Sequence, residues 1–288
     1  MKPLFSIVLP TYNRASVLLD SVLILQNQTY SDWELIIVDD SSQTFEDSIK
    51  KLNDPRVFYW NRGARLGVSS ARNFGAQHAN GNYLLFLDDD DRVSPNWLSD
   101  FSSLAEINHY PDLLFCGMEI KDEVKKTTRI FYPGVERDLW NFIIPGCWAV
   151  SKVFFDRLYG YDERFLFGEN TELFFRIRAN EPTRAVTDTV NFFYNPSING
   201  GSRNIQNRID STLILLDKHK ELIQEDSKLE HVLIQVVGVC FLRLAKFSDA
   251  QKCLSRAYLL RPFNVVTLLR LIISYFPFFA RRIYRPIG

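Results

Sequence analysis

Four consecutive aspartates, Asp88 to Asp91, follow directly on the apolar run Tyr83-Leu-Leu-Phe-Leu87. Adjacent carboxylates repel one another at neutral pH, and a folded chain tolerates them where water solvates them or a cation neutralises them. This run ends a buried strand and has no Cys or His beside it. It therefore suits a hard divalent ion that takes oxygen ligands, Mg²⁺ or Mn²⁺, and keeps positions open for phosphate oxygens. Two other polar clusters stand in the same place relative to an apolar run: Pro10-Thr-Tyr-Asn-Arg14 after Phe5-Ser-Ile-Val-Leu9, and Asp39-Asp-Ser-Ser42 after Glu34-Leu-Ile-Ile-Val38. In an open parallel sheet ligands bind beyond the carboxyl ends of the strands, so such a fold gathers all three clusters on one rim. Glycines 63, 67, 75 and 81 match neither a P-loop nor G-x-G-x-x-G, which leaves phosphates to the ion and to basic side chains. Arg65 and Arg72 are the candidates, each weighed against ordinary surface charge.

The elements that would position these clusters alternate. Strands are predicted at 5–9, 34–38, 57–60 and 83–87, and helices at 17–28, 45–52 and 68–79. Strand and helix in turn imply parallel strands with crossover helices, and so a doubly wound α/β sheet. Beyond Pro95 the pattern predicts a helix over 97–107, a strand over 112–120, a hairpin or loop over 121–129, a helix over 169–178 and a strand over 190–194. From residue 205 onward only helix is predicted, which sets a catalytic domain at 1–204 and a helical region at 205–288. Within the latter, Ile234, Val237, Gly238, Phe241, Ala250, Leu254, Ala257 and Pro262 are spaced like one tetratricopeptide unit. A single unit cannot bury its own face, so a plain helical hairpin is the preferred reading.

Composition narrows the function classes. The chain has 288 residues, 46% of them hydrophobic and 24% charged, which fits an ordinary folded protein. Net charge is zero, so nothing draws it to nucleic acid. Cysteines 116, 147, 240 and 253 form no C-x-x-C pair, which argues against a zinc ribbon and for free thiols in a reducing cytoplasm. The N-terminal apolar run is too short for a signal peptide, and the best apolar stretch, 271–280, is about half the ~20 residues a membrane span needs. From Arg261 onward there are five arginines and no acid among many apolar and aromatic residues. Two expectations follow for this basic amphipathic end: peripheral contact with an anionic membrane face, or packing on the core.

The segments 6–14 (SIVLPTYNR), 38–42 (VDDSS), 67–75 (GVSSARNFG) and 81–91 (GNYLLFLDDDD), with Pro95, occur in one order and resemble glycosyltransferase family 2. A second region agrees: Gly160-Tyr-Asp-Glu-Arg-Phe165 is similar to the family's G-F-D-E-x-F, and Gly168-Glu-Asn-Thr-Glu-Leu173 to its G-E-D-x-E-L. The resemblance covers about residues 4–200 and implies a GT-A fold, a doubly wound, mostly parallel sheet flanked by helices, here with a C-terminal helical extension. It implies that Pro10, Thr11 and Tyr12 line a nucleotide base pocket, that Asp39 bonds base or ribose, and that Arg65 approaches base or diphosphate. It gives Asp88-x-Asp90 as the D-x-D motif, Asp88 toward ribose and metal and Asp90 as the direct metal ligand. Asp89 joins the nucleotide-sugar-binding set, and Asp91 matches a further acidic position. The family's usual base falls at Asn170, which cannot accept a proton at neutral pH, so Glu169 and Glu172 stand in its place. Glu169 is preferred because it opens the helix, where a negative charge also complements the helix dipole. Glu172 is also spaced for an ion pair with Arg176.

The implied activity is metal-dependent, inverting transfer of a sugar from a nucleotide-diphosphate donor, UDP- or dTDP-linked, to an acceptor hydroxyl. The acceptor would be a glycan or lipid-linked glycan in cell-surface polysaccharide or glycolipid assembly. One alternative is a sugar nucleotidyltransferase, which would usually carry a glycine-rich basic loop after its first strand; Pro10 to Arg14 contains no glycine. The other is a nucleotide-sugar-binding protein with impaired turnover, which Asn170 favours.

Overall fold

The computed structural model describes residues 2–122, 126–133, 142–195 and 204–284. They divide into two units, one formed by Met1–Glu163 and Glu169–Ile198 and the other by Arg164–Gly168 and Asn199–Gly288.

The first unit is built on one sheet. Its strands are β1 (Phe5–Thr11), β2 (Trp33–Asp39), β3 (Val57–Asn61), β4 (Tyr83–Phe86), β5 (Arg92–Val93), β6 (Leu113–Asp122), β7 (Thr127–Phe131), β8 (Trp148–Ser151) and β9 (Arg184–Tyr194). Its helices are α1 (Ala15–Gln26), α2 (Glu46–Lys50), α3 (Val68–His78), α4 (Trp97–Ile107), α5 (Lys152–Arg157) and α6 (Glu169–Ala179). The strand order is β3-β2-β1-β4-β8-β6-β9-β5, with β7 paired on β6. β3, β2, β1 and β4 are mutually parallel, as the alternation of strands and helices requires. Their apolar runs carry no polar-out alternation because helices cover both faces, and β1, β2 and β4 are buried almost throughout.

Chain order reverses between β1 and β4, which makes that gap the switch point of the sheet. β1 pairs with β4 only from Phe5↔Tyr83 to Val8↔Phe86, yet it pairs with β2 as far as Thr11↔Asp39. Pro10, which has no N–H to give a neighbour, stands in this unshared last stretch of β1. A crevice therefore opens between the two tips. Helix α3 sits tight on β1: a Cβ at Gly75 would lie 2.4 Å from Val8 Cγ1. Glycine at 75 thus sets how close α3 comes to the crevice.

The far side of the sheet departs from the sequence expectation. β8 and α5 were not anticipated, because four and six residues give no usable periodicity. β8 runs antiparallel between β4 and β6. The polar 121–129 stretch belongs to a β6–β7 hairpin, and β9 begins at Arg184 rather than at 190.

In the second unit the helices are α7 (Ile205–Lys218), α8 (Lys220–Glu225), α9 (Ser227–Arg243), α10 (Phe247–Leu260), α11 (Val265–Ser274) and α12 (Pro277–Ile283). α9 and α10 form the expected hairpin. Ala250, Leu254 and Ala257 are fully buried, and a Cβ at Gly238 would come within 2.8 Å of Leu254 Cγ. No helix among the described residues is long and apolar enough to cross a membrane.

Candidate active site

The crevice is closed at its base by Asp89. Thr11 at the tip of β1 donates its hydroxyl to Asp89 Oδ2 at 2.7 Å, and Arg14 donates to Asp89 Oδ1 at 2.7 Å. Ser21 of α1 donates to the Asp89 carbonyl at 2.6 Å. Burial raises the Asp89 pKa against the lowering effect of Thr11 and Arg14. The Thr11 hydroxyl and the Asp89 carboxylate thus pin the β4 tip to the β1 tip.

The other three aspartates diverge. Asp91 is buried, accepts the Asn195 backbone N–H at 2.9 Å on Oδ1, and keeps Oδ2 buried with no hydrogen-bond partner. Burial first, and the Asp88 charge second, push its pKa well up. Asp88 and Asp90 are the outward pair, with side chains 35% and 23% exposed. Each gives one oxygen to a guanidinium: Asp88 Oδ1 to Arg72 at 2.6 Å, Asp90 Oδ2 to Arg14 at 3.0 Å. Their other oxygens take no hydrogen bond among the described residues. No group of three or more His, Cys, Asp or Glu side chains that could hold a metal gathers among the described residues. Two outward carboxylates do fit an Mg²⁺- or Mn²⁺-type ion, which takes one or two protein carboxylates and completes its shell with water and substrate phosphate. The orphaned Asp91 oxygen and the crowding of four carboxylates fit a cation at this tip as well.

The β2 tip is wired differently. Asp39 is fully buried; its Oδ1 accepts the Ser41 N–H at 2.8 Å and its Oδ2 the Tyr59 hydroxyl at 2.5 Å. Asp40 Oδ1 accepts from Arg62 at 2.6 Å, and Oδ2 accepts the Leu66 and Gly67 N–H groups at 3.0 and 3.2 Å. The last pair fixes the turn that leads into α3, where Gly67 has φ +98°. Above this tip Tyr12 is exposed, and the Arg65 guanidinium lies 4.8 Å over its ring. Pro10, Thr11, Tyr12 and Arg65 therefore share one edge of the crevice, while Asp39 lies sealed below it.

Helix α3 joins the two halves of the site. Arg72 is neither surface charge nor a free phosphate ligand: it is buried, donating to Asp88 and, at 2.9 Å, to Glu169 Oε1. Burial alone would lower its pKa, but Asp88, Tyr161 and Glu169 together hold it above the ordinary arginine value. Its neighbour Asn73 clamps the turn before α6. Asn73 donates to the Tyr161 carbonyl at 2.9 Å and to Glu163 at 3.0 Å, and accepts the Tyr161 N–H at 2.8 Å. Tyr161 donates its hydroxyl to Asn170 Oδ1 at 3.0 Å, and Asn170 donates to Glu169 Oε1 at 3.0 Å. Glu169 is thus oriented from two sides, and its Oε2 takes no hydrogen bond among the described residues. Glu172 is fully buried, with its two oxygens held by Arg176 at 2.8 and 2.6 Å, the ion pair that its spacing allowed. It offers no oxygen to the crevice.

Sequence reading passed over Arg14, Arg62, Asn73 and Tyr161 as working parts. Arg14, Asn73 and Tyr161 sat inside quoted motifs, but nothing in their type showed which carboxylate each would meet. Parts of the segments 121–150 and 195–205 lie outside the described residues.

The chain is similar to known proteins in sequence and in fold. The family model described as "Glycosyl transferase family 2" matches residues 6–160. The putative colanic acid biosynthesis glycosyl transferase WcaA of Escherichia coli K12 is 40% identical over 171 residues, 54% of this chain and 61% of that protein. The GalNAc(5)-diNAcBac-PP-undecaprenol beta-1,3-glucosyltransferase of Campylobacter jejuni is 32% identical over 140 residues, 47% of this chain and 45% of that protein. The matches thus span about half to three-fifths of the length of these curated relatives. Among solved structures, S. aureus TarS 1–349 in complex with UDP-GlcNAc aligns with a TM-score of 0.67 at 16% identity, over 96% of this chain and 89% of that one. Mannosyltransferase PcManGT from Pyrobaculum calidifontis, in complex with GDP-Man and Mn²⁺, aligns with a TM-score of 0.58 at 15% identity, over 99% and 87%. At that identity the likeness establishes the fold, which is of the GT-A type.

Proposed function

This chain belongs to glycosyl transferase family 2, and from that premise we propose that it transfers a sugar from a nucleotide-diphosphate donor, UDP- or dTDP-linked, to a hydroxyl of a glycan or lipid-linked glycan, with inversion. The observation that carries the reading is the Arg72 guanidinium, which holds Asp88 at the β4 tip and Glu169 at the start of α6 within one hydrogen-bonded unit. It joins a diphosphate-facing carboxylate to a base candidate far away in sequence.

Pro10, Thr11 and Tyr12 would line the base pocket, with Arg65 stacked on Tyr12 and close to base or diphosphate. Asp39, held by Ser41 and Tyr59, would shape the floor of that pocket. Asp89 would keep the β1 and β4 tips at the right spacing. Asp88 and Asp90 would hold Mn²⁺ or Mg²⁺, which when bound supplies Lewis-acid stabilisation of the departing diphosphate. Glu169 Oε2 would take the proton of the acceptor hydroxyl as it attacks. Arg72 and Asn170 keep that carboxylate aimed. A base on one face of the sugar and a stabilised leaving group on the other give direct displacement, hence inversion.

The relatives' names support surface-glycan chemistry: colanic acid biosynthesis for WcaA, an undecaprenol-linked acceptor for the C. jejuni enzyme. A peripheral position at the cytoplasmic face of a membrane suits such an acceptor. The outward side of α11 and α12 supports it, although their inward side packs within the helical unit. Val265, Val266, Leu269, Phe278 and Phe279 are each more than half exposed, whereas Thr267 and Ser274 are fully buried.

The test is transfer from a panel of nucleotide sugars with and without divalent ion. Excess EDTA should abolish transfer and Mn²⁺ restore it. Glu169→Gln should lower kcat by about 10²-fold or more at nearly unchanged donor KM. Full activity in EDTA would refute the metal, and an unchanged kcat would refute the base.

A further inference from the structure

The second unit carries a cluster of positive charge that the transfer reaction does not use. A cavity of about 170 Å³ is lined by Arg208, Gln235, Val236, Val239, Cys240, Arg243 and Arg270. Its three arginines come from three different helices, α7, α9 and α11, so the fold rather than a charge run brings them together. All three are half-buried. None is ion-paired with a carboxylate among the described residues. Arg208 is placed by stacking, with its guanidinium 4.5 Å over the Phe167 ring, and its Nε is buried with no hydrogen-bond partner. The charges that act on the Cys240 thiol in the cavity wall are those of Arg208 and Arg243.

Half-buried guanidiniums repel one another, and a fold that packs three around one space, with no acid among the described lining residues, leaves their charge to be met from outside. Planar guanidiniums with several N–H donors match phosphate oxygens in a bidentate fashion. The space is several times the ~30 Å³ share of a liquid water, so a phosphate group fits with water to spare. Gln235 stands on the same wall; one of its amide hydrogens goes to Thr267 and the other is left to donate. The third arginine also ties the cavity to α11, whose other residues are oddly placed. Its buried face is polar: Thr267 bonds Asn264, Gln235 and His231, and Gln251 donates to the Ser274 carbonyl. Its outward face is apolar.

We propose that Arg208, Arg243 and Arg270 form a phosphate-binding site in the C-terminal unit, separate from the donor crevice, that takes a phosphate or diphosphate group. The source is either a lipid headgroup or a soluble phosphate. The site does not depend on the catalytic reading, because its test is binding without donor, acceptor or divalent ion.

Pyrophosphate is titrated into the full chain in EDTA and followed by calorimetry, for wild type, the donor-crevice variant Arg65→Gln and the triple variant Arg208→Gln/Arg243→Gln/Arg270→Gln. Saturable binding that Arg65→Gln keeps and the triple variant weakens at least tenfold is expected. Equal binding by wild type and triple variant, or binding by neither, overturns the site. If the triple variant fails to fold by circular dichroism, Arg243→Gln alone should weaken binding severalfold and Arg243→Lys only slightly; no difference between them and wild type overturns it as well. Sedimentation with phosphatidylglycerol vesicles but not phosphatidylcholine vesicles, lost in the same variants, assigns the phosphate to a lipid. Retained pyrophosphate binding with no vesicle preference assigns it to a soluble phosphate.

Discussion

The β2 and β4 tips lie on one rim and both end in aspartates, yet they are built to opposite electrostatic designs. At the β2 tip each oxygen of Asp39 and Asp40 accepts from Ser41, Tyr59, Arg62 or the amides of residues 66 and 67. At the β4 tip four carboxylates share two hydrogen-bonded guanidiniums, Arg14 and Arg72, and one buried oxygen of Asp91 has no partner. The first is a balanced buried network that fixes a turn. The second keeps surplus negative charge where the sheet opens. Residue type does not separate the two; the count of donors delivered to each oxygen does.

The largest way to sharpen this contrast is to remove one carboxylate from each tip. Asp90→Ala should lower transfer by about 10²-fold or more, on the scale of losing one preorganised electrostatic partner. It should leave the melting temperature nearly unchanged or slightly raised, since Arg14 keeps Asp89 and one repulsive charge is gone. A steady-state assay beside a thermal melt reads both. Asp40→Ala should do the reverse. It strands the buried Arg62 charge, 9% exposed at the side chain, and two backbone amides. Breaking a buried pair by removing one partner costs about 3–5 kcal/mol, measurable as a shift in the urea midpoint. If Asp40→Ala is as stable as wild type, or Asp90→Ala unfolds the protein, the contrast between the tips is wrong.

What could be read from sequence follows the same division. The parallel half of the sheet was legible because β1, β2 and β4 are unbroken apolar runs that end in polar clusters, and the rim followed from topology alone. The wiring was not legible. Asp88, Asp89, Asp90 and Asp91 are identical in type and adjacent in sequence. Whether each points into the crevice, across to Thr11 or toward Asn195 depends on side-chain direction at a strand end that leaves the ladder after Phe86. Arg72 looked like a surface or phosphate-binding arginine, since nothing local announces that the Gly75 contact with Val8 draws α3 down and buries it. The antiparallel β8 was missed for a related reason: its identity lies in its neighbours, β4 and β6, and not in its own four residues.

The smallest test sets the scale of an ordinary ion pair in this chain. Asp54, in the turn before β3, accepts from the Arg56 side chain at 3.0 and 2.8 Å, from the Arg56 N–H at 3.0 Å and from Gln26 at 3.2 Å. Its pKa is held down at about 2, chiefly by the Arg56 side-chain hydrogen bond. The folded value lies below the unfolded value of about 3.9, so the pair contributes stability above that pH and loses it as pH falls toward 2. The partners are partly solvated, so the contribution should be about 1 kcal/mol or less. At the β4 tip the sign is opposite: Asp89 and Asp91 have raised pKa values, through burial first, and acid relieves rather than weakens that tip. The difference in urea midpoint between wild type and Asp54→Asn should therefore shrink as pH falls from 5 to 2.5. A difference that stays constant across that range would mean that the Asp54 carboxylate gains nothing from Arg56.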